Sequence, residues 1–568
     1  MSKQTKTRAE RKKQRTVDIV ERLDPRWSLI TIMAVGLGLR LFFMKYRFAV
    51  AFDEVNYLKL GVSGYLNGLS DVLHTYWSPL LPTVISIVCA FFSDYELAGR
   101  MVSILSGTLL IVPVYFLGKH IYDKHVGILA AGFVALFPPL AFQSTQALTE
   151  PLYMLLATFA VLFGMFMLKI YSTGFAFLAG IASGLVYLAH PQGIGFLIVV
   201  AFWIVFGAVS KLFLIKSLRI PWLAALLVLG FLIVSLPYLI YLKNVTGKWT
   251  LSAKAAANWQ MEAPKQEKGR DAFRSLDPTN RHVPIDRIFH QGDFLQPTNG
   301  VSKPVREVRL KPFLFKYVKN VTNMLSSAIP ELLTTVPFLL LGVGLLGGPW
   351  KPLQGRMILY LLSFIAFFWF VVIPAFHLNQ RYLTPLWPVC AIWVAKGALH
   401  IKDWLSLNMP VIKRSKQFKM APGTLASVFI FAIFFIASFL PEFGRVVARQ
   451  PDNKAYWADP VEQKRAGLWL KEHATAQKII MSRNHAVDFY AGNYDIKQSV
   501  TIPKSSFERV LEYAKHRGVN YLVLNERYKE SYADLRFLLE TDNEVPGLKL
   551  VYEDKDINGL VTKIYRVL

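Results

Sequence analysis

ELAGRMVSILSGTLLIVPVYFLGKHIYDKHVGILAA, residues 96–131, decides the fold. An apolar run extends from Leu97 to Gly118, and a membrane-spanning helix needs about 20 such residues. A short basic linker carrying Lys119 and Lys124 follows, and then a second apolar run begins. Short Lys/Arg clusters between long apolar runs are the pattern of a polytopic membrane protein. Working outward, the spacing predicts spans over 27–46, 97–118, 126–142, 151–169, 175–190, 192–210, 220–242, 328–347, 356–376, 382–400 and 424–441, about eleven in all. The third and fifth are short.

The composition agrees. Of 568 residues, 53% are apolar and 18% charged, against about 25% charged in soluble domains. Mean hydropathy is +0.35. These values exclude a chain that is soluble throughout, and an aromatic content of 14% excludes disorder. The net charge of +26 comes from 64 Lys+Arg against 38 Asp+Glu. A nucleic-acid binder would concentrate that charge on a soluble surface. Here it is divided among short linkers, so no nucleic-acid partner is expected. Cys89 and Cys390 lie in apolar runs and read as small buried hydrophobes.

Charge asymmetry orients the chain. The basic segment 1–26 has no cleavage site after the following apolar run and reads as a cytoplasmic tail rather than a signal peptide. The positive-inside rule then places Lys119/Lys124, Lys169, Lys211/Lys216/Arg219, Lys351/Arg356 and the cluster Lys402–Lys419 on the same side. That parity holds only if Pro79–Phe92 does not cross, so this segment is expected to be a juxtamembrane helix. The outer face then receives 47–96, 143–150, 243–327, the turn at 377–381 and the tail. The expected domains are the tail 1–26, a transmembrane domain 27–445 and an extracytoplasmic α/β domain 446–568. Helical spacing in the last covers Val461–His473 and Phe507–His516. Strand-like runs cover Lys478–Ser482, Asn520–Asn525, Leu548–Glu553 and Val561–Val567.

The outer face carries the residues suited to chemistry. Asp53 and Glu54 follow the first span directly. Adjacent helical residues do not face each other, so the two do not form a shared-proton dyad. One can point into a cleft as a base while the other caps or orients, and an ordinary helix cap is the competing reading. Glu150 begins another span beside Pro151, as a cap or as a second acid facing the same cavity. Arg100 and Arg381 sit at span ends, where a guanidinium can hold a phosphate or snorkel to headgroups. Arg40 lies inside the first span, either in an ion pair or in the site. Neither His74, His190 nor His377 has the spacing of a metal motif.

Four stretches resemble the GT-C-type integral membrane glycosyltransferases, in particular the group holding the protein O-mannosyltransferases and the lipid A aminoarabinose transferases. They are FDEVNYL at 52–58, the stretch 96–131 quoted above, QSTQALTEPLYMLLA at 143–157 and NQRYLTPLWPV at 379–389. In the tail, AGLWLKEHA at 466–474 and VNYLVLNE at 519–526 are also similar to that group. The resemblance implies a polytopic α-helical GT-C-like fold with a small C-terminal α/β domain. It also implies a polyprenyl-phosphate sugar donor and transfer, with inversion, of a hexosyl or pentosyl group to a glycan, lipid or protein acceptor at the extracytoplasmic face of the plasma membrane. Carried over, Asp53 is the general base, Glu54 its motif neighbour, Glu150 a further acid, and Arg100 and Arg381 hold the donor phosphate. Tyr57, Trp77 and His377 are candidate substrate contacts. Where many relatives carry His-Pro-Pro, this chain has Tyr76-Trp77-Ser78-Pro79, and Trp77 is free to stack on a sugar face.

Some GT-C enzymes use a divalent cation and others do not. Asp53, Glu54 and Glu150 are the oxygen ligands on offer here. A sugar-lipid transporter or flippase is the alternative reading, although such folds often show repeated halves and none is evident. A structural or assembly protein is a third reading, which leaves the acids and arginines unexplained. The C-terminal domain is expected to recognise acceptor, to cover the site or to stabilise the fold.

Overall fold

A computed structural model of the chain describes residues 24–209, 219–254, 310–376, 378, 380–408, 429, 432–450, 458–475, 478–540, 545–556 and 559–568. Among the described residues, five helices are long and apolar enough to cross a membrane: α1 (Pro25–Met44), Tyr95–Ile121, Thr149–Ile170, Ile220–Thr246 and Pro352–Ala375. Shorter apolar helices cover Leu80–Phe91, Lys124–Leu136, Thr173–Ala189 and Pro191–Gly207. Three of the expected spans, at 126–142, 175–190 and 192–210, are therefore helices below that length. The run at 328–347 is not one straight helix. It breaks at Thr334, and the two arms, Phe313–Leu333 and Thr335–Leu346, meet at 101°. Thr334 has φ +59, a region that β-branched residues rarely occupy. The expected span at 424–441 lies largely outside the described residues. The segment Pro79–Phe92 forms a nine-residue helix, Leu80–Val88, with one further short turn.

The site is positioned by few elements, numbered here in chain order. Helix α2 (Asp53–Asn67) follows α1 after a short loop. Helix α3 (Tyr95–Leu109) is capped by Asp94, whose carboxylate accepts from the Glu96 and Leu97 amides, the ordinary N-cap interaction. Helix α4 (Thr149–Ile170) runs the depth of the bundle. Helices α5 (Thr173–Ala189) and α6 (Ile220–Thr246) pack backbone to backbone. A Cβ on Gly230 would stand 2.4 Å from the Phe177 carbonyl oxygen. Helices α7 (Thr335–Leu346) and α8 (Trp387–Asn408) meet in the same manner. A Cβ on Gly397 would stand 1.9 Å from the Leu340 carbonyl oxygen. Small residues at such crossings let helices approach closely where lipid offers no hydrophobic drive to associate. The core between them is aromatic: Trp387 stacks on Phe137 at 4.5 Å. Both cysteines are buried and free.

The C-terminal domain begins with α9 (Val461–His473) and holds a mixed five-stranded sheet of order β2-β1-β3-β5-β4. The strands are β1 (Ile480–Ser482), β2 (Val500–Thr501), β3 (Tyr521–Asn525), β4 (Leu548–Lys555) and β5 (Val561–Val567). Strands β2, β1 and β3 are parallel, whereas β3, β5 and β4 are antiparallel. The helices expected at Val461–His473 and Phe507–His516 form with those bounds. Strand β2, only two residues long, lies below what an alternating pattern can reveal. Short helix α10 (Ala486–Tyr490) faces the membrane domain. Phe489 and Tyr490 there join Ala49, Val50, Val55 and Leu58 in one hydrophobic cluster, so the two parts of the chain share a core.

Candidate active site

Phe52 sets the start of α2. Its backbone has φ +49 and ψ −120, outside the ordinary regions for an L-residue. Such conformations cost about 1–3 kcal/mol and persist only where surrounding structure imposes them. The turn divides the acidic pair. The Asp53 side chain is 40% exposed, while that of Glu54 is 1% exposed. The two acids consequently serve separate networks.

Asp53 reaches the first network. Its Oδ2 accepts from Arg381 Nη1 at 3.0 Å. Arg381 Nε in turn donates to Glu150 Oε1. One guanidinium thus brackets two acids that lie 97 residues apart in sequence. Glu150 is set in the first turn of α4 with Thr149 and Pro151, where a proline's missing N–H is not needed. The structure brings together Asp53, Glu150 and Arg381 as the sequence placed them. Asp53 and Arg381 line a cavity of about 400 Å³ together with Arg47, Ala51, Phe52, Gln146, Leu148 and Asp459. Glu150, its side chain 7% exposed, is not part of that lining and reaches the site through Arg381.

Glu54 belongs to the second network and, unlike its partner Arg47, does not line the cavity. It pairs with Arg47 at 3.1 Å and accepts from the Ala51 amide at 3.2 Å. Burial pushes its carboxyl up, against the pull of Arg47 and Arg100. Arg47 also pairs with Asp459 at 2.8 Å, and Asp459 takes Arg449 at 3.0 Å. Arg100 is placed in neither the cavity nor the first network. It pairs with Glu96 and donates to the Arg47 carbonyl at 3.1 Å. Glu96 further accepts from Lys464 at 2.9 Å and from the Tyr490 hydroxyl at 2.8 Å. The loop 47–52 is held by these groups. The Phe48 amide donates to Asp459 at 2.9 Å, and the Val50 amide donates to the Tyr490 hydroxyl at 2.9 Å.

Aromatic residues form the wall beside Asp53. Tyr57 is buried and meets Trp77 edge to face at 5.2 Å. Trp77 is itself 4% exposed, so the ring expected to stack on a sugar is enclosed here by Tyr57 and Tyr76. His74 organises this turn, its Nδ1 accepting from the Tyr76 and Trp77 amides at 3.0 and 3.2 Å. His377 lies outside the described residues. Arg40 is fully buried in α1 and donates to the Gly36 and Ala135 carbonyls at 2.9 and 3.2 Å, so it belongs to the helix packing.

Sequence reasoning missed Lys254. Its Nζ lies 4.9 Å from the Tyr76 ring centre and 5.5 Å from that of Trp77. Burial pulls its ammonium down, Asp53 and Glu150 push it up, and Arg381 pulls it down. It therefore sits within the field of the first network. Asp459 was missed as well, and its partner Arg47 was readable only as a charge at the end of α1.

The three acids offered for a divalent cation do not converge. Glu54 turns to Arg47, while Asp53 and Glu150 enclose a guanidinium. Among the described residues there is no group of three or more His, Cys, Asp or Glu placed to hold a metal ion.

Residues 76–241 match the family model described as dolichyl-phosphate-mannose-protein mannosyltransferase. The fold is similar to that of the oligosaccharyltransferase of Archaeoglobus fulgidus in the apo form. TM-score is 0.57 at 13% identity, over 89% of this chain and 70% of that one. The same archaeal enzyme, AglB, in complex with an inhibitory peptide and a dolichol-phosphate aligns at 14% identity with TM-score 0.57, over 95% of this chain and 74% of that one. ArnT from Cupriavidus metallidurans bound to undecaprenyl phosphate aligns at 12% identity with TM-score 0.51, over 95% of this chain and 98% of that one. A comparison with curated proteins gives no match. The chain thus has the fold of the GT-C membrane glycosyltransferases, as the resemblance implied. Nothing in these comparisons favours the flippase alternative.

Proposed function

We propose that this chain is an inverting glycosyltransferase that moves a sugar from a polyprenyl phosphate to a hydroxyl acceptor, with Asp53 as general base. The observation that carries this reading is the pairing of a half-exposed acid with an arginine at the mouth of a cavity. The relatives bound to dolichol-phosphate and undecaprenyl phosphate support the donor class.

The chemistry follows from where charge appears. The acceptor oxygen attacks the anomeric carbon from the face opposite the phosphate. Asp53 takes the hydroxyl proton as the new C–O bond forms, and the bond between the anomeric carbon and the phosphate oxygen breaks. The departing polyprenyl phosphate gains negative charge, which calls for cations already in place. Arg381 supplies one, exchanging Asp53 for phosphate oxygens. Lys254 supplies a second. Glu150 keeps Arg381 oriented during the exchange. A phosphate neutralised in this way leaves without a dedicated acid. Arg100, which sequence suggested as a phosphate ligand, acts through the loop it holds. The predicted location is the plasma membrane with this cavity on the extracytoplasmic side.

The test uses purified protein, a panel of radiolabelled polyprenyl-phosphate sugars and a membrane extract as acceptor source. Asp53→Asn should reduce transfer by about 10² to 10⁴ while donor binding is retained. Normal transfer by that variant would remove Asp53 from the mechanism.

A further inference from the structure

A second cavity, of about 440 Å³, lies at the other end of the bundle. Helix α4 gives the distance. Glu150 begins it at the first site, and Lys169, 19 residues on, lines the second cavity. At 1.5 Å per residue the separation is about 29 Å, close to the thickness of a bilayer's hydrocarbon core. The cavity gathers Lys169, Lys351, Lys396, His120 and His400 from four separate stretches of chain. Among the described residues none of the three lysines is ion-paired. One carboxylate, Asp123, also lines it. Its Oδ1 accepts from the His125 and Val126 amides at 2.8 and 3.0 Å as the cap of the helix that follows, so three lysines face one carboxylate.

The lysines are held rather than loose. Lys169 Nζ donates to the His120 carbonyl at 3.3 Å, leaving further N–H bonds to offer. Lys396 Nζ stands 5.5 Å from the Tyr122 ring centre. Leu353 in the lining is 47% exposed, and Ile170 and Leu346, within two positions of the lining residues Lys169 and Gly344, are 57% and 77% exposed. A cationic pocket rimmed by outward apolar side chains matches a ligand with an anionic head and an apolar tail. Basic pockets between membrane helices take lipid head groups for this reason.

We propose that this cavity binds the phosphate of an anionic lipid head group, with Lys169 and Lys396 as its main contacts and Lys351 at the entrance. The site is separate from the Asp53 cavity, and its occupancy ties the far ends of α4, α7 and α8 together.

Full-length protein in neutral detergent is titrated with phosphatidylglycerol, with phosphatidylcholine and with inorganic phosphate. Bound lipid is read by native mass spectrometry and thermal midpoint in parallel. Phosphatidylglycerol should bind and raise the midpoint, and the double variant Lys169→Gln/Lys396→Gln should weaken that binding by about tenfold. Lys169→Arg/Lys396→Arg should retain it, which separates loss of charge from loss of fold. Equal phosphatidylglycerol binding by wild type and the glutamine variant would overturn the site. Equal retention of phosphatidylcholine, or an equal midpoint rise with inorganic phosphate alone, would overturn the lipid assignment.

Discussion

Lys254 brings a pH dependence to the site. Burial lowers its pKa from the usual lysine value of 10.5, so the fraction that is cationic declines at a lower pH than for a free lysine. A phosphate held by Lys254 should therefore bind less tightly as pH rises, and the loss should begin at a lower pH than for a lysine of ordinary pKa. Lys254→Gln should remove that slope and weaken donor affinity by about tenfold, a charge-assisted hydrogen bond being worth roughly 1.5–3 kcal/mol. Donor binding measured across pH for both proteins checks this, and a variant with the wild-type slope would remove Lys254 from the donor contacts. Asp53, Glu150 and Arg381 were legible in the sequence because a charge at the end of an apolar run is costly and therefore conspicuous. Lys254 was not, because it is one of several lysines in polar surroundings. What distinguishes it is a wall built by Tyr76 and Trp77, far away in sequence. Arg100 misled for the complementary reason. A cation at a span end looks the same whether it faces a cavity or an acid one turn earlier, and here Glu96 takes it.

At the scale of elements, apolar runs showed where helices lie but not how they end or bend. The break at Thr334 falls in a short polar and proline-bearing stretch, Pro330 to Pro337, which is too brief to interrupt the apolar run around it. Crossing points are similarly silent, because a glycine in a span can be idle or essential. Gly397 is essential here. A methyl group at that position would overlap the Leu340 carbonyl, and backbone cannot move aside as a side chain does. Gly397→Ala should cost about 1–3 kcal/mol and lower the thermal midpoint. Gly342→Ala, where nothing lies within 4 Å of the added carbon, should be neutral. Equal midpoints for the two variants would show that α7 and α8 do not meet as closely as described.

Over the whole molecule, the sequence indicated a membrane bundle followed by an α/β domain, but it could not join them. The joining contacts are single residues whose partners lie hundreds of positions away. Tyr490 is the clearest. Its hydroxyl serves both Glu96 and the Val50 amide, and removing it leaves the buried Val50 amide unsatisfied while Glu96 keeps Arg100 and Lys464. Tyr490→Phe should cost about 1–3 kcal/mol and reduce kcat with donor affinity little changed, since the loop before Asp53 loosens while Arg381 and Lys254 stay. A truncation after residue 445 should lose activity for the same reason. Full transfer by the truncated chain would mean that the domain does not hold the loop.

The clamp on that loop also has a consequence in time. The Phe48 amide meets Asp459, a residue 411 positions later, and Lys59 meets Ser499, 440 positions later. At about 5–20 residues per second, a ribosome needs roughly 20 to 80 seconds to reach the first of these partners. Throughout that interval the acidic turn exists without its brace. The unfinished chain therefore holds the acidic turn before it holds the contacts that shape it, and the turn takes its final geometry only after residue 459 has been made.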